Sequence, residues 1–307
     1  ETDLKDFETE EQRLSEDAGH IALLGQYVTT LRGYAEGSII KGVVVRVTGS
    51  DVFVDIRFKS EGVIPREEFK EESELEVWKQ TRDGQFALLK TYPICRWSGE
   101  LGPKVKEGDR QAPEGFYKIT PGQMNPNSQF YLSFDLGYPN AFDRAHGRSG
   151  SNLMVHGDCS SRGCYSMTDE QIAEIYALGR EAFFGGQKSF QVQAYPFRMS
   201  ALNMARHRNS PHMPFWRMLK EGNDHFELTR AEPKIDVCEK RYVFNAQADG
   251  RLDPVGACPT LKQDPEIVAS VSAKASKDDE KISALSQEVK PVRLVYQDGG
   301  MHPAFYH

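Results

Sequence analysis

Apolar and polar residues alternate with a period of two through most of the first half of this chain, and a helical period takes over in parts of the second. Over residues 37–69, β-branched positions recur around turn signals such as Gly49-Ser50-Asp51 and predict about three strands. Further strands are predicted at 75–78, 86–92, 115–119 and 130–134, separated by Gly/Pro-rich loops at 99–113 and 121–127. Thr168 followed by Asp169, Glu170 and Gln171 is a capping box, and Ile172, Ile175, Tyr176 and Leu178 follow at helical spacing. One more strand is predicted at 189–197, with helical pieces around 199–222 and an extended stretch carrying Cys238 and Tyr242-Val243-Phe244. Residues 262–290 are Lys/Glu/Ser/Ala-rich and predict an exposed helix or tether, before a final strand at 292–296 and a Gly-Gly turn. No internal repeat is evident.

The expected fold class is α+β: a mostly β domain with flanking helices, preceded by a small β-rich segment. Four parts are predicted: an acidic, partly helical arm at 1–36, strands at 37–70, the main domain at 71–260, and an exposed helix with a terminal strand at 261–307. A chain of 307 residues with 39% hydrophobic content can bury a full core. No apolar run approaches the ~20 residues of a membrane span, and the polar, acidic opening at Glu1 is no signal peptide. The missing initiator Met points to a trimmed leader, so localisation has to be read from chemistry.

The net charge of −7 is concentrated at one end, where residues 1–20 hold eight Asp/Glu against two Lys/Arg. The rest is near neutral, without the clustered basic face of a nucleic-acid surface, and nucleic acid is not an expected partner. Five cysteines, Cys95, Cys159, Cys164, Cys238 and Cys258, suit one or two disulfides plus one reactive thiol; in a reducing compartment all five would be free.

The chemistry concentrates at residues 153–167, LMVHGDCSSRGCYSM. An apolar strand ends at His156-Gly157, a short Gly/Ser loop follows, and Cys164 sits four residues before the helix N-cap. There the positive end of a helix dipole would favour thiolate. His156 can return to the thiol across the loop as base, Gly163 lets the backbone approach closely, and the amides of Gly163 and Cys164 are the candidate oxyanion donors. A loop carbonyl near Gly157 or Asp158 would fix the imidazole tautomer. Bland alternatives stand beside this one: an inert core cysteine, a satisfied polar histidine, a zinc site from Cys159, Cys164 and His156 that lacks a fourth ligand, or a silencing Cys159–Cys164 disulfide. No cofactor is expected.

The run His156-Gly157…Ser161-Arg162-Gly163-Cys164 resembles the signature of the L,D-transpeptidase (YkuD-like) catalytic domain family, in its shorter YafK-like form. The resemblance extends to Ala112-Pro113-Glu114-Gly115-Phe116-Tyr117, Tyr195-Pro196-Phe197-Arg198-Met199 and Phe215-Trp216. Two departures stand out: the His–Cys loop is short, and Arg162 occupies the place of a second histidine, which makes His156 the lone base. The resemblance implies that Cys164 attacks the bond between an L-centre and a D-residue of a peptidoglycan stem peptide, releases the D-amino acid and leaves a thioester. An amine from a second stem, a protein lysine such as one on a wall-anchored lipoprotein, or water would resolve it; a hydrolase is thus the alternative outcome. Carbapenems are implied to acylate the same sulfur. Arg144, Arg148 and Arg162, with Ser161 and His146, are candidate substrate binders. Cys238 and Cys258 are expected to form a disulfide, in keeping with a periplasmic or cell-envelope location, and Cys95 is expected to be a buried bystander.

Residues 37–69 separately resemble the first half of an S1-type OB-fold repeat, from Gly37 and Gly42 through Val52-Phe53-Val54 to Glu61-Gly62-Val63-Ile64-Pro65. RNA binding through Phe53 and Phe58 would need a complete barrel with a positive groove. Strands packed onto the next domain, or a gene-fusion remnant, are the preferred reading.

Overall fold

Where alternation is strictest, the backbone pairs with itself. The computed structural model of this protein describes residues 43–47, 51–55, 62–65, 73–292, 297–301 and 305, and its chain divides into two units, residues 1–66 and 67–307. In the first unit β1 (Val43–Val47), β2 (Asp51–Asp55) and β3 (Gly62–Pro65) form an antiparallel sheet in that order, Val43 opposite Asp55 and Val54 opposite Gly62. The predicted arm at 1–36 lies outside the described residues.

The second unit runs β4 (Glu74–Gln80), β5 (Phe86–Pro93), β6 (Arg96–Gly99), β7 (Gly115–Ile119), β8 (Met124–Ser128), β9 (Tyr131–Asp135), α1 (Ala141–Ala145), β10 (Met154–His156), β11 (Tyr165–Ser166) and α2 (Asp169–Phe184). It continues through β12 (Phe190–Ala194), α3 (Ala201–Arg206), α4 (Met213–Thr229), β13 (Ile235–Cys238), β14 (Arg241–Phe244), α5 (Pro265–Glu288) and β15 (Gln297–Met301). The fold is α+β. A six-stranded sheet is ordered β15-β6-β11-β10-β9-β8, and β4–β5, β7–β12 and β13–β14 pair as ribbons. Every pairing in the larger sheet is antiparallel except β10 with β11.

Two sequence expectations give way. The predicted loop at 121–127 is a short 3₁₀ turn, Pro121–Gln123, followed by β8. Pro126 is tolerated there because β8 is the sheet's edge, where a missing N–H leaves no partner unmatched. The predicted Gly-Gly turn at Gly299 and Gly300 is instead part of β15, which pairs with β6; residues 293–296 of the expected strand lie outside the described residues.

The helices start where local chemistry supplies their missing acceptors. Thr168 accepts from the Gln171 amide and Gln171 answers to the Thr168 backbone, so α2 begins at its capping box, with Ile172, Ile175 and Tyr176 buried at helical spacing. Asp264 caps α5 ahead of Pro265. Only Val271 and Ile282 of α5 are buried, and the helix is tied to α4 by Lys220–Asp278, Lys274–Asp224 and Arg217–Asp279 ion pairs. The core between the sheet and α2–α4 is built from Phe116, Ile119, Phe134, Phe142, Val155, Met167, Trp216, Leu219 and Phe244. Each large apolar side chain buried in it contributes roughly 1.5–3 kcal/mol.

Candidate active site

A parallel pair normally needs a crossover of a dozen or more residues, but β10 and β11 are so short that the loop between them suffices. Val155 pairs with Tyr165 and His156 with Ser166, which brings Cys164 alongside Met154 at the start of β10. The Met154 amide donates to Cys164 Sγ at 3.4 Å, and the thiol donates to the Asn152 carbonyl at 3.6 Å. His156 is two residues beyond Met154, so it shares that strand face and lies roughly 7 Å along it. The register therefore sets the thiol and the imidazole two places apart on adjoining strands. Among the described residues no hydrogen bond joins them in the resting arrangement.

The imidazole is buried and tilted against the Phe130 ring, 4.5 Å between centroids. Its Nδ1 lies 2.6 Å from the Gly157 carbonyl oxygen. A carbonyl only accepts, so Nδ1 carries the proton and Nε2 keeps its lone pair. Burial pulls His156 below its ordinary pKa, opposed by the Gly157 carbonyl and the Asp158 charge. The ring is therefore neutral near pH 7. Gly157 is needed because a Cβ there would meet Asp169 Oδ1 at 2.5 Å and the Phe130 carbonyl at 2.9 Å.

Cys164 is the free cysteine, 8% exposed. Burial pushes its thiol up, countered by the Met154 amide; the Asp135 carboxylate adds to the rise and the buried Lys104 ammonium opposes it. The expected thiolate at a helix N-terminus is corrected: β11 separates Cys164 from α2, and desolvation dominates the sulfur. The resting pair is neutral thiol with neutral imidazole.

Of the expected oxyanion donors, the Gly163 amide is corrected. The Gly163 amide donates to the buried Ser98 hydroxyl at 2.7 Å and so points into the core. The Cys164 amide donates to Ser161 Oγ at 3.2 Å, while that hydroxyl donates to the Cys164 carbonyl at 2.7 Å. Ser161 is thus turned into the loop rather than out toward a substrate.

The five cysteines resolve as two disulfides and one thiol. Cys238 and Cys258 are joined, and Cys95, expected to be a bystander, is joined to Cys159. Cys159 is therefore unavailable both for a bond to Cys164 and as a zinc ligand, and among the described residues no three His, Cys, Asp or Glu side chains gather as a metal site.

Arg148, expected to meet a substrate carboxylate, pairs at 2.8 Å with the fully buried Asp143 and lies over the rings of Phe142 and Phe215. That guanidinium is consumed by the fold. Burial still holds Asp143 above the usual carboxylate range, with Arg148 pulling it down. His146 leans on Phe142, its Nδ1 3.0 Å from the Phe142 carbonyl; Arg144 is bound to the Pro139 carbonyl; Arg162 is exposed on the nucleophile loop. Sequence reasoning missed Ser98, Lys104 and Asp135. Ser98 carries no local signal, and Lys104 and Asp135 read as ordinary polar positions until the fold buries or gathers them.

Comparisons with known proteins agree on this region. The family model described as "YkuD: L,D-transpeptidase catalytic domain" matches residues 72–182. A protein called "Putative L,D-transpeptidase YafK", in Escherichia coli K12 and again in O157:H7, is 44% identical over 200 residues, 65% of this chain and 76% of the relative. Among solved structures, the helical cell shape determining protein Pgp2 of Campylobacter jejuni is 18% identical across 74% of this chain and 70% of its own, with a TM-score of 0.35, too loose a likeness to carry an argument.

Proposed function

Because this chain belongs to the L,D-transpeptidase (YkuD) family, whose members act on peptidoglycan in the cell envelope, we propose that Cys164 is the nucleophile of an acyl transfer on stem peptides and His156 its base. The observation that carries the proposal is the proton placement: Nδ1–H held by Gly157 leaves Nε2 basic, on the strand face that also bears the free thiol. Sγ attacks the carbonyl that precedes a D-residue and its proton passes to Nε2. As the tetrahedral intermediate collapses, the amide C–N bond breaks, and the imidazolium returns the proton to the departing amine. A thioester on Cys164 remains. An amine from a second stem or a protein lysine then attacks it, giving a new amide and restoring the thiol; water in the same place gives a carboxylate.

The Cys164 amide, whose 3.2 Å bond to Ser161 is longer than the 2.7 Å bond of the Gly163 amide to Ser98, is the donor that turns to the oxyanion. Exposed Arg162 is proposed to meet a stem-peptide carboxylate. Two disulfides favour an oxidising compartment, and a periplasmic location is proposed on that ground.

Intact-mass measurement with a defined tetrapeptide stem, with and without an amine acceptor, tests the reading. Wild-type protein gains the acyl mass and loses the D-amino acid, the amine or water discharges it, and Cys164→Ala stays unmodified. An adduct surviving in Cys164→Ala, or none in folded wild type, overturns it.

A further inference from the structure

We propose that Ser98 is a positioning residue of the nucleophile loop, its hydroxyl holding the Gly163 amide in the core so that the Cys164 amide alone is left for the oxyanion. The inference rests on the acyl-transfer reading and assigns a role outside the His–Cys segment.

Ser98 lies on β6, fully buried, and β6 runs antiparallel to β11 with Arg96 opposite Ser166. Two places along that register, Ser98 comes opposite Cys164. A hydroxyl has one proton and two lone pairs. The Ser98 proton goes to the Arg110 carbonyl at 2.8 Å, which leaves a lone pair for the Gly163 amide at 2.7 Å. Its other neighbour, 3.3 Å away, is the Ser161 hydroxyl, the group bonded to both the amide and the carbonyl of Cys164. One buried serine is therefore one hydrogen bond from the residue before the nucleophile and in contact with the serine that bonds the nucleophile's own amide and carbonyl.

Gly163 adopts φ +112°, open to glycine, and a Cβ there would press on the Gln111 carbonyl at 3.2 Å. That backbone conformation aims its N–H at β6. Without the hydroxyl the amide would be orphaned in a site closed to water, and the loop would have to turn to satisfy it. Such a turn moves Cys164 relative to a carbonyl held in the site, and small misplacements of a nucleophile slow a reaction without altering its reactivity toward small reagents.

Ser98→Ala and Ser98→Thr, compared with wild type, test this by three readouts: amide exchange at Gly163 by NMR, alkylation of Cys164 by iodoacetamide, and acylation by the tetrapeptide stem. For Ser98→Ala the expected result is Gly163 exchange at least about tenfold faster and acylation at least about tenfold slower, with alkylation within about twofold of wild type. Ser98→Thr, which keeps the hydroxyl, restores both. Unchanged protection at Gly163, or acylation and alkylation falling together, overturns the assignment, since joint loss marks plain destabilisation. Wild type that never acylates removes the chemical reading instead, while Gly163 exchange still decides what Ser98 holds.

Discussion

Cys95 and Cys159 are bonded with their Cα atoms 5.3 Å apart, which fastens the segment between His156 and Cys164 to the residue leading into β6. At Asp158 and Cys159 the loop passes through two successive left-handed residues, φ +66° and +43°, a conformation that side-chain-bearing residues rarely hold unaided. The bond and the Cys159 amide, which donates to Met167 at 3.2 Å, hold it there.

Replacing both members of this bond with serine is expected to do two things. Closing 64 residues of sequence stabilises by about 4 kcal/mol in the chain-entropy account, so urea denaturation should report a loss of about 2–4 kcal/mol. Acylation of Cys164 should also slow by about tenfold as the loop loses its anchor. Serines at Cys238 and Cys258, a separation of 20, should lower stability while leaving acylation near wild type.

Acylation should depend on pH through the two neutral partners. Its rate rises as pH climbs through the His156 pKa, which burial holds below the ordinary imidazole value, and stays high until the buried thiol ionises, above the ordinary thiol range. Single-turnover acylation across pH 5–9 checks this. A rate already falling near pH 7 would contradict the neutral pair.

Glu114 gives a separate pH signature, in stability. It is enclosed, accepts from the Gly102 amide at 2.6 Å and from Trp216 Nε1 at 2.9 Å, and burial lifts its pKa from 4.5 to about 7. The native state therefore binds the proton more tightly than the unfolded chain. The stabilisation is complete below 4.5 and is lost as pH rises through about 7, up to about 3 kcal/mol. Denaturation midpoints should fall between pH 5 and 8, and Glu114→Gln should remove most of that slope while lowering stability throughout.

Arg148 and Arg162 should separate structure from substrate. Arg148→Met strips the buried Asp143 of its ion-pair partner and should destabilise the fold by about 3–5 kcal/mol. Arg162→Ala should leave the melting temperature within about 1 °C and raise KM for a stem peptide bearing a free carboxylate. Equal KM values for Arg162→Ala and wild type would remove Arg162 from the site.

Much of this was legible in the residues because it is local. The Thr168 capping box starts α2 through contacts three residues apart, and alternation placed the strands around 75–78, 86–92 and 115–119. The Gly157 carbonyl beside the imidazole is a neighbour in the chain, so the tautomer could be anticipated from the motif. Cysteine arithmetic allowed two bonds and a thiol, but could not pair Cys95 with Cys159 across 64 positions.

By itself, then, the sequence determined most of the elements, the family signature and the candidate thiol and imidazole, since short-range sterics and hydrogen bonding act between residues already adjacent. The parallel pairing that sets Cys164 beside Met154, the turning of the Gly163 amide onto Ser98 65 positions away, and the neutral state of the thiol were decided by the tertiary structure alone. Each depends on which distant groups close over a buried atom and exclude water from it, and only the assembled core specifies that.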